Sequence, residues 1–452
     1  MISASDSSTK RPLEMTPNET DIEAVSLSSP ITEKQLPELK TEGSNSDGNE
    51  AMGYIEDYAE TERLLVWWQE PADKDPENPL NWPTRRKYAI IGTLSFITFL
   101  TPLASSMLAP GVPEMMAEFG TSDNQIATFV VSVFMLGFAL GPLLLAPLSE
   151  LHGRLPIYHV CNVLFVIFSA CCAVAQNVPM LIAFRFLAGA AGVAVVTCGS
   201  GSIAGMMPPE KRGRAISIWA MGPFLGPVVG PVCAGFLVES VGWRWVFWVI
   251  TIVSAAVTFP AFFTLRETYA PVLLERKAER LRKETGNNRY QSGMAKKGTP
   301  RELFFKAIVR PGRMFCCSMI VMAMCVYVAT LYGFLYILLT TFTFIYQDVY
   351  GFSATGAGLS FIGGGVGNFL GLAFVGFLSD RIIQRQKDKG TEPRPEDRLN
   401  LIITVPCSLL LPFGLFMYGW TAEKHLHWVL PMIGNGIMSF GMIGIVIVGD
   451  GR

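Results

Sequence analysis

The stretch APLSELHGRLPIY at residues 146–158, together with GFLSDRI at residues 376–382, decides the fold. Each stretch follows an apolar run. The first supplies Glu150, Gly153 and Arg154, and the second supplies Gly376, Asp380 and Arg381. In a short turn a carboxylate accepts from the free N–H groups of a helix start, glycine adopts positive φ, and arginine reaches a neighbouring helix. Two copies at matching positions indicate an internal duplication.

The apolar runs around these copies are long enough to cross a bilayer. Half of the 452 residues are hydrophobic and 16% are charged, whereas soluble domains carry about 25% charged residues. The runs are about 19 to 31 residues long, and one span needs about 20. We count ten, near 88–108, 126–147, 157–175, 180–205, 215–238, 243–265, 314–344, 354–378, 401–420 and 428–448. The sequence therefore predicts an all-α polytopic membrane protein with ten spans.

Basic residues fall in every second loop, which predicts an orientation. Thirteen Lys and Arg lie between spans 6 and 7, and six lie between spans 8 and 9. The loops on the opposite side carry only Arg244 and Lys424. Because loops rich in Lys and Arg remain in the cytosol, we expect the N-terminus there.

The runs divide the chain into four regions. Residues 1–84 are expected to form a disordered acidic cytosolic tail with a pre-membrane segment, because they are rich in Ser, Thr, Asp and Glu and lack an apolar period. Residues 85–265 are then a six-helix bundle, residues 266–313 a cytosolic central loop, and residues 314–452 a bundle of four helices.

The central loop contains a basic amphipathic helix. Its apolar face is formed by Leu273, Leu274, Ala278 and Leu281. Such a helix rests on the inner leaflet or links the two bundles as a solvated helix, and the pattern leaves both possibilities open.

Other classes of function lack their sequence signals. A net charge of −1 gives no basic face for nucleic acid. All nine cysteines lie in apolar runs, without the spacing of a disulfide framework or a zinc site, and the four histidines show no metal-binding spacing. No P-loop, HExxH or GxSxG motif is present. We therefore predict no enzymatic activity, no metal, no cofactor and no nucleic-acid partner.

Span 4 carries a charge, Arg185, near its start. Near the bilayer centre such a residue costs about 2.5–3.5 kcal/mol by insertion scales, so it is a functional candidate by default. The structural alternative is an interfacial arginine that extends to the headgroups.

Span 5 contains a repeating glycine pattern. Gly222, Gly226 and Gly230 recur every four residues, and each is followed by a proline. This spacing places the three glycines on nearly one face, where a neighbouring helix can approach closely. The prolines remove amide donors and bend the helix.

These motifs resemble those of the major facilitator superfamily. In its signature loop the first copy retains Leu148, Gly153 and Arg154, with Glu150 in place of an Asp, and the second copy matches over GFLSDR. Arg185 and Gly189 match an Arg-x-x-x-Gly motif that the family links to proton transfer. The antiporter motif of span 5 is matched by Gly222, Gly226, Pro227 and Gly230.

Further stretches narrow the resemblance. DPENPLNWPTRRKY before span 1 and RETYAPVLLERKAERLRKETGN after span 6 are similar to fungal twelve-span drug:proton antiporters. The resemblance implies a monomer in the plasma or vacuolar membrane that exports drugs, toxins or other amphipathic compounds in exchange for protons. It also implies gating roles for Glu150, Gly153, Arg154, Asp380 and Arg381. Phe134, Tyr332 and Tyr336 are candidates for stacking on substrate in the cavity.

The resemblance is incomplete, since the family has twelve spans and this sequence contains ten. We therefore expect weak or no transport from the 452-residue chain. Two alternatives stay open: a carrier that takes up a nutrient or polyamine, and a non-transporting regulator or sensor.

Overall fold

Helices account for nearly all of the secondary structure in a computed structural model, which describes residues 64–69, 71, 74–121, 123–295, 298–388 and 401–450. It describes the backbone alone at residues 124, 210, 300, 376, 379–380, 382–388, 401–404 and 446–450. These residues belong to one unit, Glu62–Arg452. The predicted acidic tail lies outside the described residues as far as Arg63.

Eight helices form the first half of the membrane region. They are α1 (Thr84–Ser106), α2 (Val112–Glu118), α3 (Asn124–His152), α4 (Arg154–Ala173), α5 (Val178–Gly192), α6 (Ala194–Met206), α7 (Pro209–Val241) and α8 (Arg244–Thr264). Predicted span 4 consists of α5 and α6, which are separated by Val193.

The central loop and the second half contain seven helices within the described ranges. They are α9 (Ala270–Thr285), α10 (Pro300–Cys317), α11 (Met319–Phe344), α12 (Ala354–Ser360), α13 (Ile362–Asp388), α14 (Leu401–Glu423) and α15 (Val429–Asp450). A π-helical turn, Ile345–Val349, extends α11. Span 7 thus begins at Met319 instead of residue 314, and α12 with α13 forms span 8.

Each of the ten predicted spans is helical. In the described part of the chain, nine stretches are long and apolar enough to cross a membrane, and an apolar stretch of α15, Val429–Ile445, represents the tenth. These helices confirm the prediction of an all-α polytopic protein. The sequence could predict them because side-chain hydropathy and bilayer thickness set the length of a span.

Local sequence explains several helix ends. The Asp123 carboxylate accepts from the N–H of Gln125 at 2.8 Å at the start of α3, and Asn177 accepts from the N–H of Met180 at 2.9 Å in α5. Short polar side chains at the N-cap position accept hydrogen bonds from N–H groups that have no partner within the helix. Gly153 ends α3 with φ 94°, a conformation that favours glycine.

The apolar core divides into separate clusters in the two halves. In the first half α1 packs against α7, α3 against α5, and α4 against α5 and α8. In the second half α15 packs against α13 and α14. The assignment of these halves to independent bundles stays a prediction.

A small platform joins the pre-membrane segment to the central loop. Strand β1 (Leu64–Val66) pairs in parallel with strand β2 (Tyr290–Ser292), and α9 packs against both strands. Leu274 and Ala278, on the apolar face of α9, are fully buried. At these two residues the face contacts protein and not the inner leaflet.

An ion pair connects the pre-membrane segment to α9. The Asp75 carboxylate lies 3.0 Å from the Nζ of Lys277, and their side chains are 1% and 12% exposed. Burial by itself raises the pKa of Asp75, but the backbone N–H groups of Gln69 and Glu77 and the ammonium of Lys277 outweigh it, so its pKa lies below the ordinary value. The folded platform therefore favours the ionised carboxylate.

Candidate functional site

Arg185 lies inside the first half and not at a membrane surface. Its side chain is among the largest that are fully buried, with an exposure of 1%. Its Nη2 donates to the backbone carbonyls of Ser105 at 3.1 Å and Val131 at 3.4 Å. The guanidinium also lies over the rings of Phe134 at 5.5 Å and Phe247 at 5.7 Å. These contacts contradict the alternative of an interfacial arginine that extends to headgroups.

The charge of Arg185 is only partly compensated. Among the described residues its Nε is buried without a hydrogen-bond partner, and none of the ion pairs in that part of the chain includes it. Two carbonyl dipoles and two aromatic faces stabilise a cation less than a carboxylate does. The surroundings of Arg185 therefore favour the arrival of a negative charge or a polar group.

Close packing of α3 and α5 places Arg185 in this position. A Cβ at Gly189 would meet the carbonyl oxygen of Phe134, and a Cβ at Gly137 would meet that of Phe186. Only glycine permits backbones to approach so closely. Because Arg185 lies one turn before Gly189, its side chain reaches the carbonyl of Val131 on α3. The Arg-x-x-x-Gly pattern thus has a direct geometric cause.

Ser105 connects Arg185 to the second half. The Ser105 carbonyl accepts from Arg185, while its hydroxyl forms a hydrogen bond with the hydroxyl of Tyr336 in α11. Ser105 of α1 therefore contacts both the buried charge of Arg185 and a residue of the second half, Tyr336.

The signature loop is organised by a residue that the sequence reasoning missed, Glu267. Its carboxylate accepts from the N–H groups of Arg154 at 3.2 Å and Leu155 at 3.0 Å, which begin α4. It also accepts from Thr268 and Tyr269, each at 3.0 Å. A carboxylate at a helix N-terminus is favoured by the helix dipole and the free N–H groups. The sequence predicted this role for a carboxylate of the loop, yet Glu150 is exposed at the end of α3.

Gly153 and Arg154 contact the same group of residues. A Cβ at Gly153 would collide with the Glu267 carboxylate, so glycine is required by its neighbour as well as by its positive φ. The Arg154 guanidinium lies 5.0 Å from the centre of the Tyr269 ring. A Cβ at Gly201 of α6 would lie 2.7 Å from Nη2 of Arg154. The loop therefore joins α4, α6 and the segment after α8.

The second copy has a different local structure. Residues 376–382 lie within the continuous helix α13, without the interruption seen at Gly153. Arg381 is exposed, and its guanidinium lies 4.2 Å from the centre of the Phe377 ring. The side chain of Asp380 lies outside the described residues, so its gating role stays a prediction.

The glycine face of span 5 packs within its own half, against α1. A Cβ at Gly222 would lie 2.9 Å from the N of Phe99, and one at Gly226 would lie 2.7 Å from the N of Leu103. A Cβ at Gly230 would collide with the hydroxyl of Ser106. Pro227, which the antiporter motif includes, lies inside α7.

Contacts between the halves gather at the end opposite the basic loops. Gln347 Nε2 donates to the carbonyl of Pro110 at 3.3 Å, and the N–H of Thr355 donates to the Glu239 carboxylate at 3.1 Å. Nearby, the missing side chain of Gly358 leaves room for the carbonyl of Pro231. These contacts are named the end contacts below. Spans 5 and 8 therefore meet through a face of α7 different from the one that carries Gly222 and Gly226.

The three predicted cavity aromatics differ in exposure and in their contacts. Phe134 is 2% exposed and packs in the core against Arg185. Tyr336 is at the interface between halves. Tyr332 is 38% exposed. Contact of the three rings with substrate stays a prediction.

Comparison with known proteins identifies the family. Residues 94–449 match the family model of the Major Facilitator Superfamily. The chain belongs to this superfamily. It is therefore a multi-pass membrane transporter, as the motifs predicted.

Two curated relatives of this facilitator illustrate the relationship. The efflux pump radE of Floropilus chiversii is 46% identical over 84% of this chain and 70% of its own length. The MFS-type transporter penM of Penicillium rubens is 47% identical over 84% of this chain and 74% of its own length. The predicted similarity to fungal transporters is confirmed.

Solved structures share the facilitator fold. The partially occluded, inward-open xylose transporter XylE of E. coli has a TM-score of 0.57 at 17% identity, covering 80% of this chain and 86% of that one. A bacterial homologue of the lysosomal transporter Spinster has a TM-score of 0.55 at 19% identity, covering 81% and 76%. At these identities the likeness concerns the fold alone.

Proposed function

We propose that this facilitator exports small amphipathic organic compounds from the cytosol in exchange for protons. The observation that carries the proposal is the connection from Arg185 through Ser105 to Tyr336. A change in charge near Arg185 acts on the carbonyl of Ser105 and so on a bond between the two halves. Proton binding and movement of the halves are coupled through this connection.

Alternating access follows from the position of the end contacts. The bonds of Gln347 and Thr355 hold the halves together at the end away from the basic loops. With basic loops on the cytosolic side, the end contacts face the exterior and close that end. Breaking the end contacts while the other end closes moves substrate outward around a midplane site.

The export direction is supported by the relative radE, which is named an efflux pump. Ligand sites are mostly apolar with a few polar groups that fix orientation, and small amphipathic compounds have the matching chemistry. We further propose that the transporter is a monomer in the plasma membrane with its N-terminus in the cytosol. Tag accessibility in intact and permeabilised cells tests the topology: a tag near residue 30 and one at residue 390 should become accessible together.

The proton coupling is tested in inside-out membrane vesicles that carry the full chain. A panel of fluorescent aromatic compounds is offered, and uptake is measured with and without an imposed pH gradient. The ten-span count predicted weak or no transport, whereas the antiport proposed here predicts that wild-type vesicles accumulate a subset of the compounds, and only while the vesicle interior is acidic. Equal accumulation with and without the pH gradient refutes antiport. Loss of compound from preloaded vesicles when the gradient is imposed indicates an uptake carrier.

Substitutions of Arg185 test the connection itself. Arg185→Ala should abolish pH-driven transport while leaving the amount of protein in the membrane unchanged. Tyr336→Phe keeps the ring but removes the bond to Ser105, and should weaken the dependence on the gradient. Arg276→Ala removes an exposed arginine of α9 and serves as the matched control. Full pH-driven transport by Arg185→Ala would remove Arg185 from the mechanism.

A further inference from the structure

The helix that leads into span 7, α10, ends in two adjacent cysteines at a bend of the chain. Cys316 and Cys317 are the last residues of α10, and both are exposed. Ser318 follows with extended backbone, φ −111° and ψ 108°, and its side chain accepts from the N–H of Val321 to start α11. The apolar span begins at Met319. The two thiols are therefore positioned where the chain passes from the surface of the membrane into its interior.

One side of α10 packs on the protein. The helix contacts α3, and its half-buried residues recur at the spacing of a single helical side. They are Leu303, Phe304, Ala307 and Ile308. The remaining sides of α10 are exposed and face either water or lipid.

An exposed apolar stripe runs along α10 toward Cys316. Phe305 is 54% exposed and Val309 is 59% exposed. Residues 305, 309, 312 and 316 follow the spacing of four, three and four that keeps side chains on one helical face. Cys316 therefore continues the line of Phe305 and Val309. An amphipathic helix with such a stripe inserts it at the boundary between headgroups and acyl chains.

A basic stripe runs beside it toward Cys317. Lys306, Arg310 and Arg313 are exposed, and residues 306, 310, 313 and 317 repeat the same spacing. Glu302, in the first turn, is the sole acidic residue in the sequence of α10. Basic side chains of this kind pair with the anionic headgroups of the cytosolic leaflet. Cys317 thus lies at the end of a line of positive charge.

We propose that Cys316 and Cys317 are sites of reversible S-acylation by a long-chain fatty acyl thioester of coenzyme A. Exposed juxtamembrane cysteines at the end of an amphipathic helix are the usual acceptors of this modification. The thioester is an anionic amphiphile, so its phosphates pair with the basic stripe while its acyl chain lies along Phe305 and Val309. This geometry presents the thioester carbonyl to the thiols at the helix end.

The reaction is a thioester exchange. The cysteine sulfur attacks the acyl carbonyl and forms a new C–S bond, the C–S bond to coenzyme A breaks, and the cysteine proton leaves with the released thiol. No atom is oxidised or reduced. The attached chain then anchors the bend between α10 and α11 in the cytosolic leaflet. The proposal requires the basic loops to face the cytosol, but it is independent of proton coupling and of the transported compound.

The chain supplies matched control cysteines. Cys325 in α11 and Cys233 in α7 are also exposed, but both lie inside apolar spans, away from the basic stripe. A thiol within the hydrocarbon is not presented to the thioester of coenzyme A, whose headgroup stays at the interface. Only the pair at the end of α10 should react.

The test uses the full chain expressed in yeast microsomal membranes. Free thiols are blocked with N-ethylmaleimide, thioesters are cleaved with neutral hydroxylamine, and newly freed thiols are coupled to a maleimide polymer that shifts the protein on a gel. Wild type should show a hydroxylamine-dependent shift, reduced by Cys316→Ser or Cys317→Ser alone and abolished by both. Cys325→Ser and Cys233→Ser should keep the shift. All variants are compared at equal amounts in the membrane.

Two results overturn the proposal. One is a wild-type protein whose thiols are fully blocked before hydroxylamine, with no shift afterwards. The other is a shift that persists in the double variant. The basic stripe is tested separately by replacing Lys306, Arg310 and Arg313 with Glu, which should lower the acylated fraction severalfold while both cysteines remain. An unchanged fraction refutes the role of that stripe.

Discussion

Replacing Gly226 by alanine tests the packing of α7 against α1. An added Cβ would lie 2.7 Å from the N of Leu103 and 2.9 Å from the Cβ of Pro102, and ordinary contact begins at 3.4 Å. The two helices would therefore have to separate locally by about 0.7 Å, the difference between 2.7 Å and 3.4 Å. Both neighbours belong to the backbone or to a proline ring, so neither can move aside by a rotamer change. Overpacking of this kind costs about 1–3 kcal/mol.

Gly213→Ala is the matched control, because Gly213 lies in the same helix with nothing within 4 Å of the added Cβ. Both substitutions gain up to about 1 kcal/mol of helix propensity. That gain cancels in the comparison, so the difference in the free energy of unfolding between the two variants isolates the overpacking.

Thermal unfolding of detergent-purified protein measures this difference. For a half of about 180 residues, 1 kcal/mol shifts Tm by about 2–4 °C, so Gly226→Ala should melt several degrees below Gly213→Ala. Equal Tm values for the two variants would show that α7 does not approach α1 as closely as described, and the argument for the glycine face would fail.

Three further substitutions test other contacts. Glu267→Ala removes the acceptor of the N–H groups at the start of α4 and should lower the free energy of unfolding by about 1–3 kcal/mol, measured by denaturant titration; a loss no larger than that of Glu267→Gln contradicts the role of a charged cap. Asp75→Asn breaks the buried pair with Lys277, at a cost of about 3–5 kcal/mol, and should expose the pre-membrane segment to limited proteolysis at neutral pH. Because the pKa of Asp75 is lowered in the folded protein, its stabilising contribution is complete above the ordinary value of 3.8 and is lost as the pH falls through the lowered folded pKa. If the wild-type segment is already cleaved by an acid-active protease at pH 5, this argument is contradicted. Gly189→Ala should impair pH-driven transport through displacement of Arg185, whereas Gly333→Ala, where the added Cβ has open space, should not; equal transport by the two variants excludes close packing of α3 and α5 as the cause of the position of Arg185.

Local residue patterns were sufficient for the spans, the family and some helix ends. A run of apolar side chains as long as the bilayer is thick forms a helix irrespective of its neighbours, because no water satisfies its backbone there. The repeated glycines of span 5 likewise indicated close packing from spacing alone. Their spacing did not identify the partner helix.

Glu267 shows why the rest required the tertiary structure. It accepts from the N–H of Arg154, which lies 113 residues away in sequence, and the signal RETYAP after span 6 does not state which helix start it meets. The same holds for α9, whose apolar face suited both lipid and protein. Its burial depends on strands β1 and β2, which meet across more than 200 residues of sequence.

The sequence by itself determined which segments lie in the membrane, where the basic loops fall and to which family the chain belongs, because these follow from hydropathy, charge and local motifs. Only the tertiary structure decided that Arg185 is buried against Ser105 and Val131, that Gly226 contacts α1, and that Cys316 and Cys317 end an exposed amphipathic helix. Those facts depend on which helical faces pack together. The spacing of residues along a helix shows which side chains share a face, but not which element packs against that face.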